Sequence, residues 1–187
     1  MLSSGCIAHI FARLEPVYYF TLPSVIVGLA RDRLRKLWSD HVWWTRQTVL
    51  SIAHGLPDLD DVTARLLRNQ DEIGAVVGGE GGQRLARLLR EHILIAASLL
   101  HAARKNNQTK SVAATRAWRA NAEQIARLLS NLGFGPADAL GKMMYDHLEL
   151  TLAEAEARFK SRFADDIVAF DKVLEQALGM ADAMAVV

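Results

Sequence analysis

Cysteine is nearly absent: Cys6 stands alone among 187 residues. That excludes an internal disulfide, a cysteine-based zinc site and a Cys-x-x-Cys redox pair, and it suits a reducing cytoplasm. Cys6 falls in an irregular leader and is not read as a nucleophile. An excess of either charge is also lacking. The 22 Lys and Arg nearly balance the 21 Asp and Glu, for a net charge of +1. No strong field therefore draws the chain to nucleic acid or an anionic membrane. Arg31, Arg33, Arg35 and Lys36 form a short basic run, but without the interleaved aromatics of a nucleic-acid surface. Long apolar runs are missing as well. Pro16–Ala30 is uncharged but interrupted by Pro23, and it falls short of the roughly 20 apolar residues of a membrane span. It lacks a clear small-x-small cleavage site. Residues 1–30 are read as an apolar leader loosely attached to the rest, in preference to a membrane or export element.

No segment alternates apolar and polar residues as a half-buried strand would. Instead helical periodicity begins at Arg31 and continues. Leu34, Leu37, Trp38, His41, Thr45, Val49 and Ile52 trace one helical face, and Gly55-Leu-Pro57 ends it. Asp58 is expected to cap a second helix carrying Val62, Leu66, Asn69, Ile73 and Val77. Gly78-Gly79-Glu-Gly81-Gly82 lacks the Lys-Ser/Thr of a phosphate loop and reads as a turn. A third helix is predicted over about 83–104 and a fourth over about 110–131. Pro136 is placed to start a fifth. A turn is expected near Ser161–Asp165, with Asp165 or Asp166 capping a sixth helix.

One pattern occurs three times: Leu34-Arg-Lys-Leu37-Trp38-Ser-Asp40-His41, Leu85-Ala-Arg-Leu88-Leu89-Arg-Glu91-His92 and Leu140-Gly-Lys-Met143-Met144-Tyr-Asp146-His147. The histidines are 51 and 55 residues apart. Asn69 and Asn121 follow theirs by 28 and 29 residues, each with an acid two positions on. The third unit lacks the asparagine, and Asp171 and Glu175 are its nearest polar residues. The sequence thus implies an all-α, up-down bundle of about six helices, built as three pseudo-repeated helical hairpins, with a single domain over 31–187.

Bulky apolar residues three and four positions before each histidine direct it inward. Neutral imidazole and carboxylate are ligands for iron, zinc or manganese, and bundle interiors assemble such sites from facing helices. The candidate metal ligands are His41, His92, His147, Asp71, Glu123 and Glu175. Asp40, Glu91 and Asp146 cannot share their neighbour's face and are read as orienting a histidine of another helix. The competing reading makes the histidines core residues hydrogen-bonded within their own hairpins, in a non-catalytic, oligomerising or partner-binding bundle. Glu-x-x-His and His-Glu-x-x-His are both absent. Haem ligation through Met143, Met144, Met180 or Met184 ranks below a metal, because methionine at helical spacing is more often core filler. Trp38, Trp43, Trp44 and Trp118 read as core anchors, one of the adjacent pair facing an interface. Arg46, Arg65, Arg68 and Arg119 read as surface or capping groups ahead of an anion pocket. His9, His54 and His101 receive no role, and no reaction is legible.

Leu37-Trp38-x-x-His41-Val42-x-Trp44-Thr45-Arg46 resembles the opening motif of a group of small uncharacterised bacterial all-α proteins. So do Glu91-His92, Trp118-x-x-Asn121-Ala122, His147-Leu148-x-Leu150-Thr151 and Met180-Ala181-Asp182. The resemblance covers residues 34–184. Members tend to carry Pro-Tyr-Tyr-Gly and Asn-Pro-x-Trp where this chain has Gly78–Gly82 and Gly133–Pro136, so no role for those loops carries over. More distantly, the acid-His-apolar helices are similar to ferritin-like bundles. That likeness implies metal binding, with redox or metal handling; the single cysteine suggests a cytoplasmic protein, and homo-oligomerisation is a further expectation.

Overall fold

The computed structural model describes residues 15–185, with side chains from Ala30 onward. Cys6 and His9 lie outside the described residues. Six helices follow one another: α1 Glu15–His54, α2 Leu59–Val77, α3 Gly79–Arg104, α4 Gln108–Asn131, α5 Ala137–Phe159 and α6 Phe163–Met184. No strand occurs among the described residues. No helix among them is long and apolar enough to cross a membrane. The helical backbone of α1 starts ahead of Arg31 and passes through Pro23. The apolar stretch there lacks an amphipathic period, so its sequence did not mark the helix.

Each helix packs on the next, and α6 returns to α1, closing a ring. α1 also touches α3 and α5, which brings odd-numbered helices towards the middle. Three hairpins are compatible with this ring, although α2 and α3, which belong to neighbouring hairpins, meet about as closely as the helices within one. The interior is one large apolar cluster running from Leu34, Leu37 and Trp38 through Ile73, Leu89, Trp118 and Ile125 to Met144, Val173 and Met180. A smaller cluster of Val49, Ile52, Leu100 and Ala155 fills one end.

Several helix ends differ from expectation, each for a tertiary reason. The break after α2 is confined to Gly78, which has φ 77°, and α3 begins at Gly79 rather than near Gln83. Gly74 and Gly82 touch: a Cβ at Gly82 would fall 2.2 Å from the Gly74 carbonyl oxygen, and one at Gly74 would fall 2.5 Å from that of Gly82. Only glycine allows this approach, so these glycines are a helix contact as well as a turn. Asp58 does not cap α2 with its side chain; it accepts the Ser51 hydroxyl at 2.6 Å. Neither Asp165 nor Asp166 caps α6. Arg162 takes that position without a side-chain bond, and Asp166 turns inward to Arg46. A half-buried guanidinium holds that carboxylate more strongly than exposed backbone amides can.

The contact at Gly82 yields a test of sign. Alanine favours a helix over glycine by about 1 kcal/mol, yet Gly82→Ala will destabilise the protein by about 1–3 kcal/mol through overpacking. Gly141 and Gly179 meet no heavy atom within 4 Å of an added Cβ, and Ala there will stabilise by about 0.5–1 kcal/mol. Urea unfolding of the three variants decides it.

Candidate functional site

His41 on α1, His92 on α3 and His147 on α5 are each only 3% exposed. The rings of His41 and His147 have centroids 5.5 Å apart. His92 is close enough for its charge and that of His147 to disfavour protonation of His41. The three imidazoles therefore share one interior region.

Each ring is held at Nδ1 by an amide side chain from the following helix, 29 residues later in every case. Asn121 Oδ1 lies 2.8 Å from His92 Nδ1, and Gln176 Oε1 lies 2.9 Å from His147 Nδ1. The amide ends fix the assignment. Asn121 Nδ2 donates to the Leu88 carbonyl and Gln176 Nε2 to the Met143 carbonyl, each four residues before the histidine. The oxygens must then accept from Nδ1–H, which leaves Nε2 of His92 and His147 as bare lone pairs. In the first unit the task is divided. Asn69 donates to the Leu37 carbonyl, while Gln70 Nε2 stands 3.2 Å from His41 Nδ1 and also donates to Leu66 and Asn69. Two amide hydrogens thus serve three acceptors; with an N–H group facing its Nδ1, His41 accepts there in a shared bond and carries its proton on Nε2.

Burial, followed by the neighbouring imidazoles, pushes His41 well below the usual histidine range. The same two causes lower His92 to about 3. His147 is lowered by burial. All three are neutral near pH 7. Trp38 meets the His41 ring edge-on at 5.4 Å, and Trp118 lies 5.0 Å from His92. Several buried polar atoms in the core find no protein partner, among them His92 Nε2, Thr45 Oγ1, Gln70 Oε1 and Glu154 Oε2. Buried polar atoms are normally satisfied by protein, water or an ion.

The carboxylates expected beside the histidines are elsewhere. Asp71 is exposed and pairs with Arg90 at 2.9 Å. Glu123 is exposed and accepts the Tyr145 hydroxyl, and Glu175 is exposed on α6. Positions adjacent on a helix diverge by about 100°, so Asp71 leaves the core where Gln70 enters it. Glu175 and Gln176 divide in the same way. The acids preceding the histidines also stay outside: Asp40 and Asp146 each take a lysine one turn earlier, and Glu91 approaches Asn121 Nδ2 only at 3.5 Å. Met144, Met180 and Met184 belong to the apolar core. Trp43 is half exposed against Phe170, while Trp44 lies under Arg65.

The buried carboxylates are Glu154 and Asp166, which the sequence reading did not select. Arg46 bridges them, reaching Glu154 at 2.7 Å and both Asp166 oxygens at 2.9 Å. Arg158 adds a bond to Asp166 at 3.1 Å. Burial raises the Glu154 carboxyl to about 7, against the pull of Arg46. Glu154 sits seven residues after His147, on the same helical face, and that spacing was the available signal. For Gln70 and Gln176 the signal was the constant 29-residue step.

No protein-family model, curated protein or solved structure matches the chain. Among the described residues, no three His, Cys, Asp or Glu side chains already stand in an arrangement that would hold a metal ion. Binding a cation would require the three rings to draw together, and His41 would have to exchange its Nε2 proton for a lone pair.

Acid stability follows from the neutral histidines. Their folded pKa values lie below the unfolded value near 6.5, so the unfolded chain binds more protons beneath that pH. Stability is complete above about 6.5 and falls as the pH drops. Glu154 works oppositely between about 4.5 and 7, because its folded form holds the extra proton, and it offsets roughly one histidine. Net uptake on unfolding then approaches two protons, a slope of up to roughly 2–3 kcal/mol per pH unit. Urea melts between pH 7 and 5 will show this fall, and His92→Gln will reduce the slope by about one proton.

Proposed function

We propose that the protein binds a transition-metal ion through the Nε2 atoms of His41, His92 and His147. The observation that carries the reading is the His92 Nε2 lone pair. It is buried without a partner beside two further imidazoles, while the opposite nitrogen is held by a side-chain carbonyl. Metal-bound histidines are ordinarily oriented in this way, the second nitrogen donating to an oxygen that fixes the tautomer. His147 has the same arrangement. His41 would need the Gln70 amide turned over; Oε1 has no partner to lose, but Nε2 would leave the Leu66 carbonyl and Asn69 Oδ1, and metal binding would have to offset both bonds.

The donor set narrows the expected ion. Three neutral nitrogens without a free carboxylate suit zinc or iron better than manganese, which favours oxygen ligands. Di-iron chemistry of the ferritin-like kind draws on several carboxylates. Here Glu154 is the buried carboxylate nearest in sequence to a site histidine, and Arg46 engages it. Metal retention or sensing fits these residues better than oxidation, and no reaction is assigned.

The second reading is a non-catalytic bundle, self-associating or partner-binding, whose histidines are structural. It is favoured by the completeness of the Nδ1–amide bonds, which tie α1 to α2, α3 to α4 and α5 to α6 with one sequence step.

Untagged protein, purified and analysed for metals, separates the two. The metal reading expects stoichiometric zinc or iron, or saturable uptake of added Zn²⁺ or Fe²⁺ by metal-free protein. The melting temperature should rise with metal concentration, and His92→Ala should abolish both effects. A folded protein that takes up neither ion under either condition overturns the metal reading. A concentration-dependent melting temperature without metal supports the second.

A further inference from the structure

A cavity of about 660 Å³ opens at the end of the bundle where α1, α3 and α5 finish, lined by those helices and the turns that follow α3 and α5. Leu99, Leu100, Leu152, Ala155 and Phe159 supply apolar lining. Leu100 and Ala155 belong with Val49 and Ile52 to the smaller apolar cluster. Leu99 is seven residues beyond His92, roughly 10 Å along the helix, so this is a second site.

Its titratable lining groups are His54, Arg104, Glu156, Arg158 and Lys160. Lys160 pairs with Glu156. Arg158 is turned to Asp166 and donates to His54 Nε2 at 3.1 Å. Arg104 is different. Its guanidinium lies over the turn leaving α1, where a Cβ on Gly55 would come within 3.1 Å of Nη2. It forms no ion pair among the described residues. The lining thus holds three bases against one acid, and even with Asp166 set against Arg158 the Arg104 charge is left over beside an apolar floor. Offsetting the helix dipole explains a cation at the end of α3, but it does not explain an open apolar recess beneath that cation. The volume lies in the range of small-molecule sites, which combine such a floor with few polar groups.

We propose that this cavity binds a small apolar molecule bearing a single carboxylate, its body against Leu99, Leu152 and Phe159 and its carboxylate on Arg104. The assignment is independent of metal binding. Isothermal titration of the 187-residue chain with octanoate, octan-1-ol and octylamine tests it. Octanoate should bind saturably, octan-1-ol more weakly, and octylamine not measurably. Arg104→Gln removes an exposed charge and should weaken octanoate about tenfold, the effect of one charge-assisted bond, while leaving octan-1-ol unchanged. Ala103→Trp, at an exposed lining position, should block both ligands; its melting temperature is read alongside to show that it folds. Failure of octanoate to bind overturns the proposal, as does equal binding of the three probes or unchanged octanoate affinity in Arg104→Gln.

Discussion

The bond between a buried imidazole and an amide on the next helix is the constraint on which the rest depends. An imidazole nitrogen removed from water needs a partner, and a charged ring could not be accommodated without an opposing charge. Asn121 and Gln176 meet both conditions. Each offers an oxygen to Nδ1–H and anchors its own nitrogen on a backbone carbonyl, so ring and amide fix one another's orientation. Because the partner is neutral, burial keeps each ring neutral. The same geometry turns Nε2 away from the outer helix. Placing one such ring on each odd-numbered helix gives the bundle a polar interior that apolar packing alone would not produce.

The fold was legible in the sequence because helical periodicity and turn chemistry agree along most of the chain. Leu37, Trp38, His41, Val49 and Ile52 lie on one stripe, and all are buried as expected. The site was legible only in part. Matching Asn69 to Asn121 selected the residue that donates to the backbone and passed over Gln70, which faces the ring. A one-residue error on a helix turns a side chain by about 100°, which is why Asp71 and Glu175 proved to be surface acids. The Arg46 cluster could not be read at all from local pattern: its partners lie 108 and 120 residues away, and nothing in an isolated window distinguishes Arg46 from a solvated arginine. Asp58 and Asp166 teach the same lesson. Both have capping chemistry, and both gave it to a tertiary donor.

The two ends of the ring are built differently. Near the α2–α3 junction, Gly74 and Gly82 bring backbones into contact, and Gly81 leaves room for Leu132. At the far end the odd-numbered helices finish in His54, Arg104 and the Arg158–Phe159 turn, and larger side chains hold them apart around a recess. The histidines lie between these ends, where His41 of α1 meets His147 of α5.

That middle layer carries an energetic debt. A buried polar atom without a partner costs about 1–3 kcal/mol, and a domain of this kind is stable by only about 5–15 kcal/mol. The indole nitrogens of Trp38 and Trp118 also lack a partner, although each indole packs against an imidazole ring. His92 Nε2, Thr45 Oγ1 and Gln70 Oε1 are likewise without a partner. Glu154 reduces its own cost by taking up a proton, which the rise towards 7 expresses. A protonated carboxyl can donate as well as accept, so it can join a hydrogen-bonded chain that a carboxylate would repel. Water can serve the hydroxyl and the amide, and it can donate to the His92 lone pair. On the metal reading proposed above, a cation would serve only the nitrogens, once His41 had given up its Nε2 proton, and its binding energy would have to offset the cost of drawing the three rings together.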